Sequence, residues 1–263
     1  MLTRGIWAML KNRHRRTEIY AQSAYWDAKA VDYSGESISL WPNKSLSRLY
    51  AKEHRDALER LAAPLEGAKV LDAGCGTGRL ARMLAERGAS VVAIDFSEQT
   101  LREARRNTPS SLDIKFELCS MFELPYEEEF DWVMSWAAAT MACQTRGDFQ
   151  SVLRRFYRAL KPGGAVFFLE PFHSNFLRRT LRLSFDQVLE DLRSAGFVIS
   201  HSEEFHFWPM RLALSYFDLP PGLTGRGYSV GRRLERSFPN AHWGDYKLVV
   251  ATKPERPGVI EGS

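Results

Sequence analysis

The stretch "VLDAGCGTGR", residues 70–79, sets an aspartate and three glycines directly behind an apolar run. Val70 and Leu71 sit in a β-rich segment, "KVLDA", and the helical pattern of "GRLARMLAERG" begins within the glycines. Such a turn lets a ligand come close to the backbone and aims a helix N-terminus at it. Several cofactors use turns of this kind, so the charges around the glycines decide more than the glycines do. Gly74 and Gly76 are followed by Arg79 where the dinucleotide fingerprint has a third glycine, and the phosphate-loop ending GK[ST] is absent.

Asp72, beside the turn, would repel a pyrophosphate and suits a ligand carrying a cation; hydrogen bonding to the loop's own backbone is the structural alternative. Asp95 ends the next β-rich run, "SVVAID", where a carboxylate can accept both hydroxyls of a ribose. The pair describes a nucleoside with a positively charged tail and no phosphate. S-adenosylmethionine, with its ribose, ammonium and sulfonium, fits that description.

Outward from the loop, short β-rich runs alternate with helical patterns from residue 68 to about 200. "SEQTLREARRN" reads as a helix opened by Ser97, and "DIKFELC" and "FDWVMSW" as third and fourth strands. "DFQSVLRRFYRAL" spaces Phe149, Val152, Leu153, Phe156 and Leu160 for one helix face, "KPGG" reads as its stop, and "AVFFLE" as a buried strand. Ser184 and Gln187 form a capping-box pattern ahead of a further helix. "GFVISHSEEF" and "DYKLVVATK" read as a last pair of strands. This rhythm predicts an α/β fold, a mostly parallel sheet with helices on both faces.

In that order, the segments resemble class I S-adenosylmethionine-dependent methyltransferases, small-molecule branch. "VLDAGCGTGRLARMLAERGASVVAIDFSEQTLREAR" is similar to the family's first motifs. "FDWVMSWAAATMA" and "LRRFYRALKPGGAVFFLEP" are similar to its fourth- and fifth-strand segments. The resemblance implies a Rossmann-like sheet of seven strands, the last antiparallel to the others. It implies S-adenosylmethionine as cofactor, S-adenosylhomocysteine as product and no metal. Asp72, Gly74, Gly76 and Gly78 would hold the methionine end, Asp95 the ribose, and Phe96 would flank the adenine. Many relatives place an aspartate at the end of the third strand for the adenine amino group. This chain has Ser120 there, with Met121 and Phe122 beside it, so a weaker contact is expected. Trp136 reads either as a methionyl contact or as core.

An alcohol acceptor benefits from a general base. His173 and Glu170, in "LEPFHSN" after the fifth strand, are the candidates. The adenine-methylating N/D-P-P-Y motif is replaced here by "SWAA", and no cysteine follows a proline as in cytosine C5 enzymes, which argues against nucleic acid. A small-molecule acceptor is expected, with O-methylation of a metabolite, sugar or lipid-linked intermediate ranked first. A non-catalytic S-adenosylmethionine-binding scaffold, N- or C-methylation, and a pericyclic step are the alternatives.

The boundaries predicted are an N-terminal basic and helical cap (1–66), a core domain (67–253) interrupted by an insertion at about 206–242, and a tail (254–263). Tyr25, Trp26, Tyr33 and Trp41 in the cap and Trp208 in the insertion are the candidate substrate contacts. The insertion, with several prolines and glycines, shows no clear periodicity.

The chain has 263 residues, 44% hydrophobic, with a net charge of +4. No window approaches the roughly 18 apolar residues of a membrane span. Three separated cysteines with no CxxC pair suit a reducing, cytoplasmic setting. The opening "MLTRGIWAMLKNRHRR" is basic with interleaved apolar residues. It reads as a solvated tail, a membrane-surface or partner helix, or an organellar address. Peripheral membrane contact through it, and a homodimer, are therefore open expectations.

Overall fold

The structure, a computed structural model, describes residues 16–30, 43–62, 64–172, 181–215, 217, 219–237 and 242–255. The strands are β1 Lys69–Ala73, β2 Ser90–Asp95, β3 Ile114–Leu118, β4 Phe130–Trp136, β5 Leu160–Glu170, β6 Val198–Phe207 and β7 Gly244–Thr252. They form a 7-stranded sheet in the order β3-β2-β1-β4-β5-β7-β6. The pairs among β1 to β5 are parallel, and β7 runs antiparallel to both β5 and β6. The fold expected from the sequence is thus present, and the order reverses between β1 and β4, the place where open α/β sheets bind ligands.

Alternation along each strand builds two cores. Leu71, Val92, Ile94, Val166 and Phe168 face one side, where α7 (Arg146–Ala159) adds Phe149, Val152 and Phe156 and α8 (Phe185–Ser194) adds Val188 and Leu192. Val70, Val91, Ala93, Phe167 and Leu169 face the other, under α4 (Arg79–Ala85) and α5 (Glu98–Arg106). Both faces of the central strands are dry, which is why they read as continuous apolar runs. The Ser184–Gln187 capping box forms as expected, and a second one opens α7 between Thr145 and Asp148.

Two readings need correction. β5 begins at Leu160, so "KPGG" lies inside the strand; a register shift between Phe130 and Trp132 absorbs its irregularity. The insertion is helical, with α9 at Trp208–Ser215 and α10 at Pro221–Ser237. Its glycines hid it. Pro221 sits at the helix start, where a missing N–H costs little. A Cβ at Gly231 would lie 3.0 Å from the Met210 side chain and one at Gly227 3.3 Å from Leu214, so these glycines let α9 and α10 approach closely.

Helix α3 (Lys44–Leu61) packs against this pair around Leu46, Tyr50 and Leu214. Asn43 joins all three helices. Its Oδ1 accepts from Leu46 N–H at 3.0 Å, while its amide donates to the Leu214 carbonyl and to Thr224 Oγ1, each at 3.1 Å. Arg232 Nε meets Glu53 at 2.7 Å, and Tyr228 OH donates to the same carboxylate. At the other end of the cap, α1 (Arg16–Tyr20) and α2 (Ser23–Lys29) bring Asp27 to the N-terminus of α5, where Ser97 Oγ donates to it at 2.6 Å.

Glu170, the last residue of β5, fixes the turn after β4. Its carboxylate is fully buried and accepts from Ser135 Oγ (2.7 Å), Ala138 N–H (2.9 Å), Ala139 N–H (3.1 Å), and Thr140 N–H and Oγ1 (3.2 and 2.6 Å). Glu170→Ala strips all of these donors of their acceptor, and a loss of at least about 3 kcal/mol in a urea melt is expected. A loss below about 1 kcal/mol would contradict the structural role.

Candidate functional site

The loop after β1 turns on left-handed glycines: Gly74, Gly76 and Gly78 have φ of 79°, 55° and 77°. A Cβ at Gly74 would lie 2.4 Å from Ala138 Cβ, whereas nothing lies within 4 Å of one at Gly76. Gly74 is therefore fixed by close packing across the β1–β4 crevice, and Gly76 leaves room for a ligand to reach the backbone. Ala137, next to this contact, holds φ of 55°.

Asp95 closes the loop from the β2 side. Its Oδ2 accepts from Gly76 N–H at 3.0 Å and its Oδ1 from Ser97 N–H at 2.9 Å. Burial raises its pKa, opposed by the N–H donors of Ser97, Gly76 and Phe96, and Asp27 adds further negative charge. Asp95 borders a cavity of about 360 Å³ together with Gly74, Phe96, Ser120, Met121 and Phe122. That volume is within the range of small-molecule and cofactor sites. Six of the residues expected to bind the cofactor thus share one wall. Ala21, Cys119, Ala142, Gln144 and Asp148 complete it and were not expected. Ser120 Oγ accepts from Phe122 N–H at 3.3 Å, which orders the turn after β3.

Asp72 lies behind the loop, outside this wall. One side of its carboxylate meets the backbone N–H of Ala81 in the first turn of α4, and Oδ2 is buried with no hydrogen-bond partner. Burial, and then the neighbouring Asp95 charge, push its pKa up to about 7. Two buried carboxylates with raised pKa values, one with an unmet oxygen, form a site short of positive charge. An ammonium and a ribose would supply what is missing, so the residues present fit S-adenosylmethionine. Asp72 and the glycine loop would hold its methionine end and Asp95 its ribose.

Trp136 does not border the cavity. The Arg79 guanidinium stacks over its ring at 4.5 Å, which gives Arg79 a reason to stand where the dinucleotide motif has glycine. The edge of His54, from α3, meets Trp136 at 5.0 Å between ring centroids. His54 is 1% exposed and neither ring nitrogen has a hydrogen-bond partner. Burial, then the charges of His206 and Arg79, hold its pKa well below 6.5, so its ring is neutral near pH 7. His54 stacks on His206 at 4.6 Å, and His206, with φ of 68°, lies 3.3 Å from Glu53. Two backbone outliers and a buried neutral imidazole thus gather beside the β1–β4 crevice; nothing next to His54 in the chain marks it out.

The remaining candidates separate. Glu170 hydrogen-bonds the turn after β4 and does not line the cavity. Tyr25 and Trp26 pack on Tyr20, and Trp26 Nε1 donates to the Tyr20 carbonyl at 2.7 Å, so Ala21 rather than either ring reaches the cavity. Trp208 begins α9 and donates its N–H to Trp243, also away from the cavity. His173, Tyr33 and Trp41 lie outside the described residues. Among the described residues no cluster of His, Cys, Asp and Glu is arranged to hold a metal ion.

Residues 70–164 match the family described as "Methyltransferase domain". The ubiquinone biosynthesis O-methyltransferase of Bordetella avium (strain 197N) is 30% identical over 184 residues, covering 65% of this chain and 70% of that one. The malonyl-[acyl-carrier protein] O-methyltransferase of Salmonella typhimurium is 37% identical over 113 residues, 43% of either chain. The chain spans about half the length, or less, of most curated relatives it matches. Among solved structures, the [4+2]-cyclase SpnF superposes with a TM-score of 0.61 at 22% identity, covering 91% of this chain and 95% of that one.

Asp95→Ala is expected to weaken S-adenosylmethionine affinity at least tenfold, through loss of charge-assisted hydrogen bonds, in a variant that melts cooperatively. Unchanged affinity by calorimetry would remove the ribose assignment. Asp72 has a linked pH dependence. The folded chain keeps its proton up to about pH 7, whereas the unfolded chain releases it near the ordinary 3.8. The unliganded fold therefore loses stability through Asp72 as pH rises across that window. Asp72→Asn should gain on the parent protein in urea melts at pH 8 relative to pH 5, while binding S-adenosylmethionine more weakly. Equal pH profiles would refute the buried proton.

Proposed function

Since the chain belongs to the class I S-adenosylmethionine-dependent methyltransferases, we propose that it methylates a hydroxyl of a small molecule: a metabolite, a sugar or a lipid-linked intermediate. The observation that carries the cofactor part is the pair of buried, charge-deficient carboxylates Asp72 and Asp95 at the β1–β4 crevice. The hydroxyl acceptor draws its support from the relative in ubiquinone biosynthesis; the malonyl-[acyl-carrier protein] relative, whose acceptor oxygen belongs to a carboxylate, supports oxygen as the acceptor atom only. S-adenosylmethionine supplies a methyl group on a sulfonium, open to in-line displacement by a nucleophile.

The chain's own contribution is alignment, desolvation and a place for the acceptor's proton. Holding two reactants in line can lower a barrier by about 7–11 kcal/mol in favourable cases. The Gly74–Ala138 contact and the Glu170 anchor set the crevice rigidly enough to do this. With Glu170 engaged elsewhere, the proton acceptor is His173, directly after Phe172. A second reading is use of the cofactor for a non-methylating reaction, the activity in the name of an S-adenosyl-L-methionine-dependent Diels-Alderase that is 32% identical over 138 residues.

Incubation with S-adenosylmethionine and a panel of hydroxylated acceptors should release S-adenosylhomocysteine in step with methylated product. His173→Ala should lower kcat at least tenfold for an alcohol with the cofactor's affinity intact. Cofactor binding without S-adenosylhomocysteine release across the panel would favour the second reading.

A further inference from the structure

Helix α10 presents an outer face that nothing described covers. Leu223, Val230 and Leu234 are 55%, 48% and 39% exposed. Their spacing of seven and four residues puts them in one stripe along a helix. Arg226 and Arg233, each three residues beyond a stripe member, form a parallel row beside it, and Arg236 is exposed as well. The helix has a single carboxylate, Glu235, which is buried and paired with Arg232 on the inner side. The exposed face is therefore aliphatic and cationic, with no acid. Phe217, just ahead of the helix, adds a ring 59% exposed.

The inner face is fully committed: Tyr228 and Arg232 meet Glu53 of α3, and Gly227 and Gly231 receive α9. The outer residues leave about half of each side chain open to solvent, apolar surface that the packing of the fold does not use. An aliphatic stripe flanked by arginines matches a helix lying in the interface of an anionic bilayer. The apolar side chains enter the acyl boundary and the guanidinium groups meet phosphates. At 17 residues, roughly 25 Å, the helix is long enough to lie flat on it. A protein partner would need a complementary acidic groove, and a second copy of this face would bring arginines against arginines.

We propose that the outer face of α10 docks the protein on an anionic lipid surface, reversibly and with charge in the leading role. The inference does not depend on which acceptor is methylated. Three aliphatic side chains bury too little area to anchor a protein alone, so neutral bilayers should hold it poorly.

The test is sedimentation of the full chain with phosphatidylcholine vesicles, with and without phosphatidylglycerol. Binding is expected only with the anionic lipid, and it should fall sharply at about 0.5 M salt. The triple variants R226Q/R233Q/R236Q and L223S/V230S/L234S should each lower binding at least tenfold while still melting cooperatively, the arginines being exposed and the aliphatic side chains about half exposed. Substituting Lys11, Arg13 and Arg15 by Gln tests the basic N-terminus separately and should leave the α10-dependent part in place. The proposal is overturned by equal binding to neutral vesicles, or by α10 variants that bind like the parent protein. It also fails if binding depends on the N-terminal basic residues alone. A dimer that the leucine-stripe variant dissolves, with no vesicle binding by the parent protein, would assign the face to a second copy instead.

Discussion

Where the strand order reverses, the first loop and the turn after β4 touch with no room for another atom. A Cβ on Gly74 would collide with Ala138 at 2.4 Å, and Ala138 is itself held by its N–H on the Glu170 carboxylate. That contact sets the width of the crevice. It also explains why two further acids lie so close to the same place. With the loop fixed, Asp95 reaches Gly76 and Ser97, and Asp72 turns inward to the start of α4. Three carboxylates serve one crevice with different outcomes. Glu170 is saturated by the protein, Asp95 partly so, and Asp72 retains an unmet oxygen. Above about pH 7, where Asp72 releases its proton, the negative charge left over disfavours phosphates and favours a cationic nucleoside.

Much of this was legible in the sequence, for identifiable reasons. Strand periodicity and the helix faces of α7 and α8 follow from burial on both sides of the sheet, which leaves a strong pattern. Gly74, Asp95, Phe96, Ser120, Met121 and Phe122 were placed by their position after β1, β2 and β3, and strand ends converge by topology. The anchoring of the turn by Glu170 was not legible, because a carboxylate at a strand end is equally suited to chemistry and to capping a turn. Only the donors on Ser135 and Thr140, far away in sequence, decide between them.

The cap was less legible because its signals are long-range. Helix α10 carries glycines and a proline that argue against a helix in isolation, and only α9 packed against Gly227 and Gly231 shows their use. Asn43 resembles any N-cap until its amide is seen joining α9 and α10. His54 lies on a helix with no distinguishing neighbours in sequence, yet the fold brings it to Trp136 and His206. Residues from both ends of the chain thus meet beside the crevice, with α1 and α2 bringing Ala21 to its wall.

The most direct test is calorimetric titration of the purified protein with S-adenosylhomocysteine, beside NAD and ATP as phosphate-bearing nucleotides. At pH 8, above the Asp72 pKa of about 7, the account predicts a single saturable site for S-adenosylhomocysteine and none for the other two, because the ionised carboxylate disfavours a phosphate. Binding of NAD or ATP at this loop, with no response to S-adenosylhomocysteine, would contradict it.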